Sequence, residues 1–172
     1  MNYRERQKIE IASIKERTVK LNLSDADCYR IAEYAGKVNL TVGELLENFI
    51  GDLVDGTYSN GSDERDLADQ WYKRCYFGMF PEKTFLRYLL ENDEDVEDFI
   101  TACDEKKYYE DHPEEYAEEI AEAKEDGETM LWFEQEYHSF TDEFFEKNSE
   151  LDIEKEIDRC RKWQSELESL ME

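Results

Sequence analysis

Apolar and polar residues alternate strictly over residues 18–23, with Val19, Leu21 and Leu23 on one face and Thr18, Lys20 and Asn22 on the other. A period of two predicts a half-buried strand. The spacing then changes to threes and fours. Ser24, with Asp27 three residues on, marks a helix start; Cys28, Ile31, Ala32 and Ala35 give that helix its apolar face, and Gly36 its end. Thr41 and Glu44 form a capping box ahead of a second stripe made of Val42, Leu45, Leu46, Phe49, Ile50, Leu53 and Val54. Upstream, Ile9 and Ile11 alternate with charged residues, so residues 1–16 read as a short strand or an arm.

Residues 55–62, DGTYSNGS, are polar and turn-rich, and divide the chain into a module, 1–56, and a body, 57–172. The body reads as helices. Ser62 opens one with Leu67, Ala68, Trp71, Tyr72 and Cys75 as its stripe, broken at Gly78 and Pro81. Phe85, Leu86, Leu89 and Leu90 mark the next, which Asn92 ends, and Val96, Phe99, Ile100 and Cys103 continue at helical spacing. Pro113 suits a first helical position, with Tyr116, Ala117 and Ile120 inward and Glu114, Glu115, Glu118, Glu119 and Glu122 outward. Met130, Phe133, Tyr137, Phe140 and Phe144 form a further stripe. Asn148-Ser149 opens a last helix with Ile153, Ile157, Cys160, Trp163, Leu167 and Leu170 inward. The expected fold is mainly α, a small N-terminal module followed by an acidic all-α helical body.

Composition narrows the function classes. A hydrophobic content of 40% with 13% aromatic residues suffices for a core, despite a mean hydropathy of -0.89. No apolar run reaches the roughly 18 residues of a membrane span, and MNYRERQKIE lacks the apolar region of a signal peptide, so a cytoplasmic location is expected. Cys28, Cys75, Cys103 and Cys160 form no CxxC pair and each falls on or beside an apolar stripe, which predicts buried free thiols. His112 precedes Pro113 and His138 lies among aromatics, which suits capping or surface roles. There is no Gly-rich phosphate loop, G-x-S-x-G, H-E-x-x-H or usefully spaced Cys/His pair. The run Asp93, Glu94, Asp95, with Glu97 and Asp98 beyond, lacks the glycine and regular oxygen spacing of an EF-hand loop. No catalytic residue, metal or cofactor is expected.

One strand cannot form a sheet alone, and pairing with the same strand of a second copy is the simplest remedy. In strand length, in the SDAD and TVGE helix starts and in connection length, residues 17–55 of the N-terminal module resemble the ribbon-helix-helix module of small DNA-binding repressors. The resemblance covers about 40 residues. It implies a homodimer closed by Val19, Leu21 and Leu23, with Thr18, Lys20 and Asn22 facing double-stranded DNA beside Arg17. The amides of Thr41, Val42 and Gly43 would then hold a phosphate.

Charge moves the emphasis to the body. The chain has 21 Lys and Arg against 46 Asp and Glu, a net of -25. Residues 1–24 carry six bases and three acids, +3; residues 25–55 carry -5; residues 56–172 hold the remaining -23. A body of that length is about 35 Å across, and about 35 Å of duplex DNA carries on the order of 20 charges. Asp93, Glu94, Asp95, Glu97, Asp98, Glu114, Glu115, Glu118, Glu119 and Glu122 are therefore the expected contacts for a basic nucleic-acid-binding partner, with Tyr76, Tyr108, Tyr109 and Trp132, off the main stripes, as anchors. An enzyme this acidic would repel a nucleic-acid substrate.

The whole chain is similar to the anti-CRISPR inhibitors that mobile elements direct against the type II CRISPR effector nuclease. The likeness rests on the ribbon-helix-helix-like start, the segment SNGSDERDLADQWYKRCYFGMFPEKTFLRYLLEN and the acidic helical remainder. It implies a non-enzymatic inhibitor that mimics DNA charge and blocks DNA recognition or cleavage. The rival expectation is a ribbon-helix-helix transcriptional repressor or antitoxin whose acidic domain binds an effector or toxin.

Overall fold

Asn2 opens the first helix with a capping box: its side chain accepts the Glu5 N–H at 3.0 Å while the Glu5 carboxylate accepts the Asn2 N–H at 3.0 Å. A computed structural model describes residues 2–125 and 127–172. Regular structure among them is helical, with no strand, and the chain divides into two units, Met1–Glu82 and Lys83–Glu172.

The first unit comprises α1 (Tyr3–Ala12), α2 (Asp25–Lys37), α3 (Val42–Val54), α4 (Ser62–Arg74) and the single turn α5 (Tyr76–Met79). Ser24 caps α2 by accepting the Asp27 N–H at 3.2 Å. Thr41 caps α3 in a full box, with the Glu44 N–H on Thr41 Oγ1 at 3.1 Å and the Thr41 N–H on the Glu44 carboxylate at 2.7 Å. Both starts agree with the sequence pattern. The α2 helix runs through Gly36 to Lys37, and the chain reverses at Asn39, whose φ is 58°. The α3 helix ends on Asp55 in the left-handed region.

Three expectations are corrected here. Residues 14–24 form neither strand nor helix and are exposed throughout, so the predicted strand over residues 18–23 is not formed in the single chain. The reason is pairing: a lone strand leaves its ladder groups to water and gains nothing from its alternation. Residues 3–12, read as strand or arm, are helical. The polar stretch after residue 55 is not where the units divide. The Asp52 carboxylate accepts the Asn60 N–H at 2.6 Å and its side-chain amide at 2.9 Å, and Arg65 pairs with Asp55. These bonds bind the stretch to α3 and α4 as a tight connection.

The first unit buries little. Among its described residues only Ala35, Gly51 and Ala68 are fully buried. Its aromatic residues make a chain of edge-on contacts, Phe49 on Trp71 at 5.4 Å, Trp71 on Phe77 at 6.1 Å and Tyr72 on Phe77 at 5.6 Å, and all four rings remain substantially exposed. Cys28 is exposed and Cys75 half-buried, against the expectation of buried thiols.

The second unit has a core. It comprises α6 (Phe85–Glu91), α7 (Val96–Asp111), a 3-10 turn (Pro113–Tyr116), α8 (Ala117–Glu125), α9 (Trp132–Lys147) and α10 (Ile153–Met171). Phe85, Leu89, Val96, Phe99, Cys103, Phe140, Phe144, Ile157 and Cys160 pack together, with Trp163 and Tyr137 at the edge. The Phe85 ring meets Phe99 at 5.0 Å, Phe145 at 5.1 Å and Phe144 at 5.2 Å. Asp104 and Arg161, bonded twice at 2.6 and 3.2 Å, tie α7 to α10. Asp95 and Asp152 supply the N-caps of α7 and α10. The last helix thus opens at Asp152, four residues after the Asn148-Ser149 signal.

Candidate functional site

The N-terminal candidates do not form a ready-made phosphate site: the start of α3 is capped by its own carboxylate. Val19, Leu21 and Leu23 are 61%, 58% and 52% exposed, and Arg17, Thr18, Lys20 and Asn22 are exposed with them. At the start of α3 the Thr41 amide is already engaged by the Glu44 carboxylate, and this bond and the Thr41 hydroxyl hold the Glu44 carboxyl below its ordinary range. A fixed negative charge therefore stands where the resemblance would place a phosphate at Thr41, Val42 and Gly43. Val42 is half-buried and Gly43 exposed.

The acidic candidates are solvent-facing but differ in what they do. Asp93, Glu94, Asp95, Glu97 and Asp98 are all exposed. Asp95 is committed locally, accepting the Glu97 and Asp98 amides at 2.8 and 3.3 Å. Asp93 takes a left-handed φ of 56° in the turn between α6 and α7. Glu114, Glu115, Glu118, Glu119 and Glu122 are exposed on the 3-10 turn and α8. Over the whole unit, residues 83–172 hold 31 acids and 10 bases, a net of -21, against -4 for residues 1–82.

The second group of acids borders an aromatic corner where the end of α7, the 3-10 turn and the start of α9 meet. Phe133 is buried and supports Tyr109, Tyr116 and Trp132, each with ring centroids 5.6 Å from its own. Tyr116 also meets Tyr109 at 5.3 Å and Tyr108 at 6.3 Å, and Tyr108 leans on the His112 ring at 4.6 Å. The phenols are fixed by carboxylates: Tyr108 donates to Glu115 and Tyr116 to Glu105, both at 2.8 Å. That bond, with some desolvation, pushes the Tyr116 phenol up to about 12. Trp132 and Tyr108 stay 55% and 45% exposed, as the pattern led one to expect, whereas Tyr109 is half-buried. Tyr76, the fourth expected anchor, is 80% exposed in the first unit. The sequence pattern places Tyr116 and Phe133 inward, but that they meet each other, with His112 against Tyr108, carries no local signal.

A shallow cleft of about 240 Å³ lies between α6 and α9, walled by Lys83, Arg87, Tyr88, Glu143 and Lys147. Its cations are partly neutralised, Arg87 by Glu91 and Lys147 by Glu143, at 2.8 and 2.7 Å. Among the described residues, no three His, Cys, Asp or Glu side chains converge to hold a metal ion, and no helix is long and apolar enough to cross a membrane. His138 pairs with Asp142 on α9 at 2.9 Å, and the His112 N–H closes α7 on the Tyr108 carbonyl. No protein-family model, curated protein or solved structure matches the chain.

Proposed function

We propose that the protein is a non-enzymatic inhibitor whose acidic helical unit binds a basic nucleic-acid-handling protein and blocks its access to DNA. The resemblance carried by the sequence makes the type II CRISPR effector nuclease the partner to test first. The observation that carries the reading is the net charge of -21 on residues 83–172. A folded unit of that length has a radius of gyration of about 12 Å, and the roughly 30 Å of duplex that matches its width carries about 18 phosphate charges. A protein channel built to neutralise a duplex meets comparable charge on this surface, held on a rigid core.

The test is binding of the full chain to the guide-loaded nuclease, with duplex target as competitor. The expected result is a complex that excludes target DNA, suppresses cleavage and weakens steeply as salt rises. Cleavage that continues at full rate under saturating protein at low ionic strength would remove the nuclease as partner.

A second reading, a DNA-binding repressor or antitoxin of ribbon-helix-helix type, is favoured by one feature: Val19, Leu21 and Leu23 present an alternating apolar row with nothing covering it in the single chain. Dimerisation would supply the missing strand partner. That reading requires sequence-specific DNA binding that Lys20→Ala with Asn22→Ala abolishes, and DNA binding unchanged in the double variant would end it.

A further inference from the structure

The aromatic corner of the second unit has a feature that diffuse negative charge does not explain. Residues 108–136 hold twelve acids and a single base, Lys124. Within that stretch Trp132 and Tyr108 leave large ring surfaces in water at either side of the contact between buried Phe133 and half-buried Tyr116. A patch meant only for solubility would be polar throughout. Here the rings are held: Phe133 is buried beneath Trp132, and Glu115 fixes the Tyr108 phenol.

We infer that this corner is a docking surface for an arginine-bearing segment of a partner protein, with Trp132 and Tyr108 taking guanidinium groups on their ring faces. The rim carboxylates of Glu114, Glu115, Glu118 and Glu119 accept the guanidinium hydrogens. The chemistry selects arginine. Its planar, weakly hydrated cation stacks on an aromatic face while its edge donates to carboxylates, whereas a lysine ammonium is a compact charge that keeps its water. Charge complementarity decides against a second copy of this unit, which is itself strongly negative, and against a nucleic acid. The inference rests on the proposed binding of a basic partner and names where that binding is anchored.

The test is calorimetric titration of the full chain with a nonapeptide of arginine and with the lysine nonapeptide, at about 50 mM salt where exposed charges are incompletely screened. The variants are Trp132→Ala and the pair Glu146→Gln with Glu150→Gln, exposed acids at and just beyond the opposite end of α9 from Trp132. Trp132 is exposed at the first position of α9 while Phe133 fills the core, so its removal leaves the fold intact, which circular dichroism checks. The expected results are tighter binding of the arginine peptide than of the lysine peptide, a loss of about tenfold or more in Trp132→Ala, and a loss of less than about threefold in the Glu146/Glu150 variant. Equal losses in the two variants, or equal affinity for the two peptides, would overturn the corner as anchor and leave the basic partner standing. Failure of the wild-type chain to bind either peptide would overturn both.

Discussion

The carboxylate of Glu156, on α10, accepts the amide N–H of Phe85, the first residue of α6, at 2.7 Å across 71 residues of chain. Glu156 is 4% exposed, and its other oxygen has Arg159 Nε at 3.5 Å. The Phe85 ring fills the centre of the second unit, so this one bond orients the helix that delivers it. Capping is normally local; here a distant buried carboxylate satisfies an amide at a helix start. Glu156→Ala leaves the buried amide unpaired and is expected to cost about 1–3 kcal/mol, while Glu156→Gln, which keeps an acceptor, costs less. Urea unfolding by circular dichroism, with native-state hydrogen exchange at Leu89, reads both. An unchanged midpoint in Glu156→Ala would mean that Phe85 finds water or another acceptor.

Two glycines provide opposite expectations in the first unit. A Cβ on Gly51 would lie 2.7 Å from the Tyr58 carbonyl carbon and 2.9 Å from the Ser59 nitrogen, both backbone atoms. The α3 helix and the following turn can approach this closely only because residue 51 has no side chain. Gly51→Ala is expected to destabilise by about 1–3 kcal/mol as the turn is forced away. Gly36 lies inside α2, and a methyl group there would meet no neighbouring atom within 4 Å. Gly36→Ala is therefore expected to gain about 0.5–1 kcal/mol from the less flexible unfolded chain. Thermal melts should shift in opposite directions for the two variants. A loss at Gly36 as large as that at Gly51 would show that α2 meets a surface absent from the single chain.

What could be read from the sequence was mostly what is decided locally. The Thr41–Glu44 box and the stripe of Phe133, Tyr137, Phe140 and Phe144 depend on residues three and four apart, and both appear as expected. The first helix was concealed because Ile9 and Ile11 suggest alternation, although Asn2 and Glu5 already spelled a helix start. The row of Val19, Leu21 and Leu23 failed as a strand because a strand is a property of two segments. Cys28 lies in the first turns of α2, whereas that helix buries its stripe only further on, at Ala35, so Cys28 is exposed; Cys103 and Cys160 meet the core of a unit built from α6, α7, α9 and α10. The bonds from Phe85 to Glu156 and from Tyr116 to Glu105 gave no warning, since these partners become neighbours only on folding.

Burial pushes the thiols of Cys103 and Cys160 up to about 12, against about 8.5 in an unfolded chain. Desolvation takes the Tyr137 phenol to about 12 as well, from about 10. For each group the folded state holds its proton more tightly. The linked stability is fully present below the unfolded pKa and is lost as pH rises through the folded one. The second unit is thus expected to lose stability progressively from about pH 8.5 to about pH 12. At pH 8 in native buffer, a thiol reagent should label exposed Cys28 rapidly and leave Cys103 and Cys160 until the unit unfolds. Labelling of all of them at one rate would contradict the burial described for the core.

The first unit cannot draw much stability from what it buries alone. Its fully buried described residues, Ala35, Gly51 and Ala68, are all small, while Ile9, Ile11, Val19, Leu21, Leu23, Phe49, Ile50, Leu67 and Trp71 are each more than 40% exposed. Contiguous apolar exposure on this scale is the kind of surface that protein interfaces cover. Charge favours apposition of two first units, because residues 1–82 carry only -4 whereas residues 83–172 carry -21 and would repel their own copy. The chain is therefore expected to self-associate at micromolar concentration. Leu21→Asp, which places a charge in the alternating row, should weaken the dimer by about tenfold or more, since a desolvated charge costs more than the apolar contact it replaces. Ile9→Asp, outside the row, separates a ribbon from a broader apolar seam: a ribbon tolerates it, and a seam extending over α1 does not. Sedimentation equilibrium reads both variants, and a wild-type chain that stays monomeric at about 100 μM, where even weak specific dimers form, would refute dimerisation through the first unit altogether.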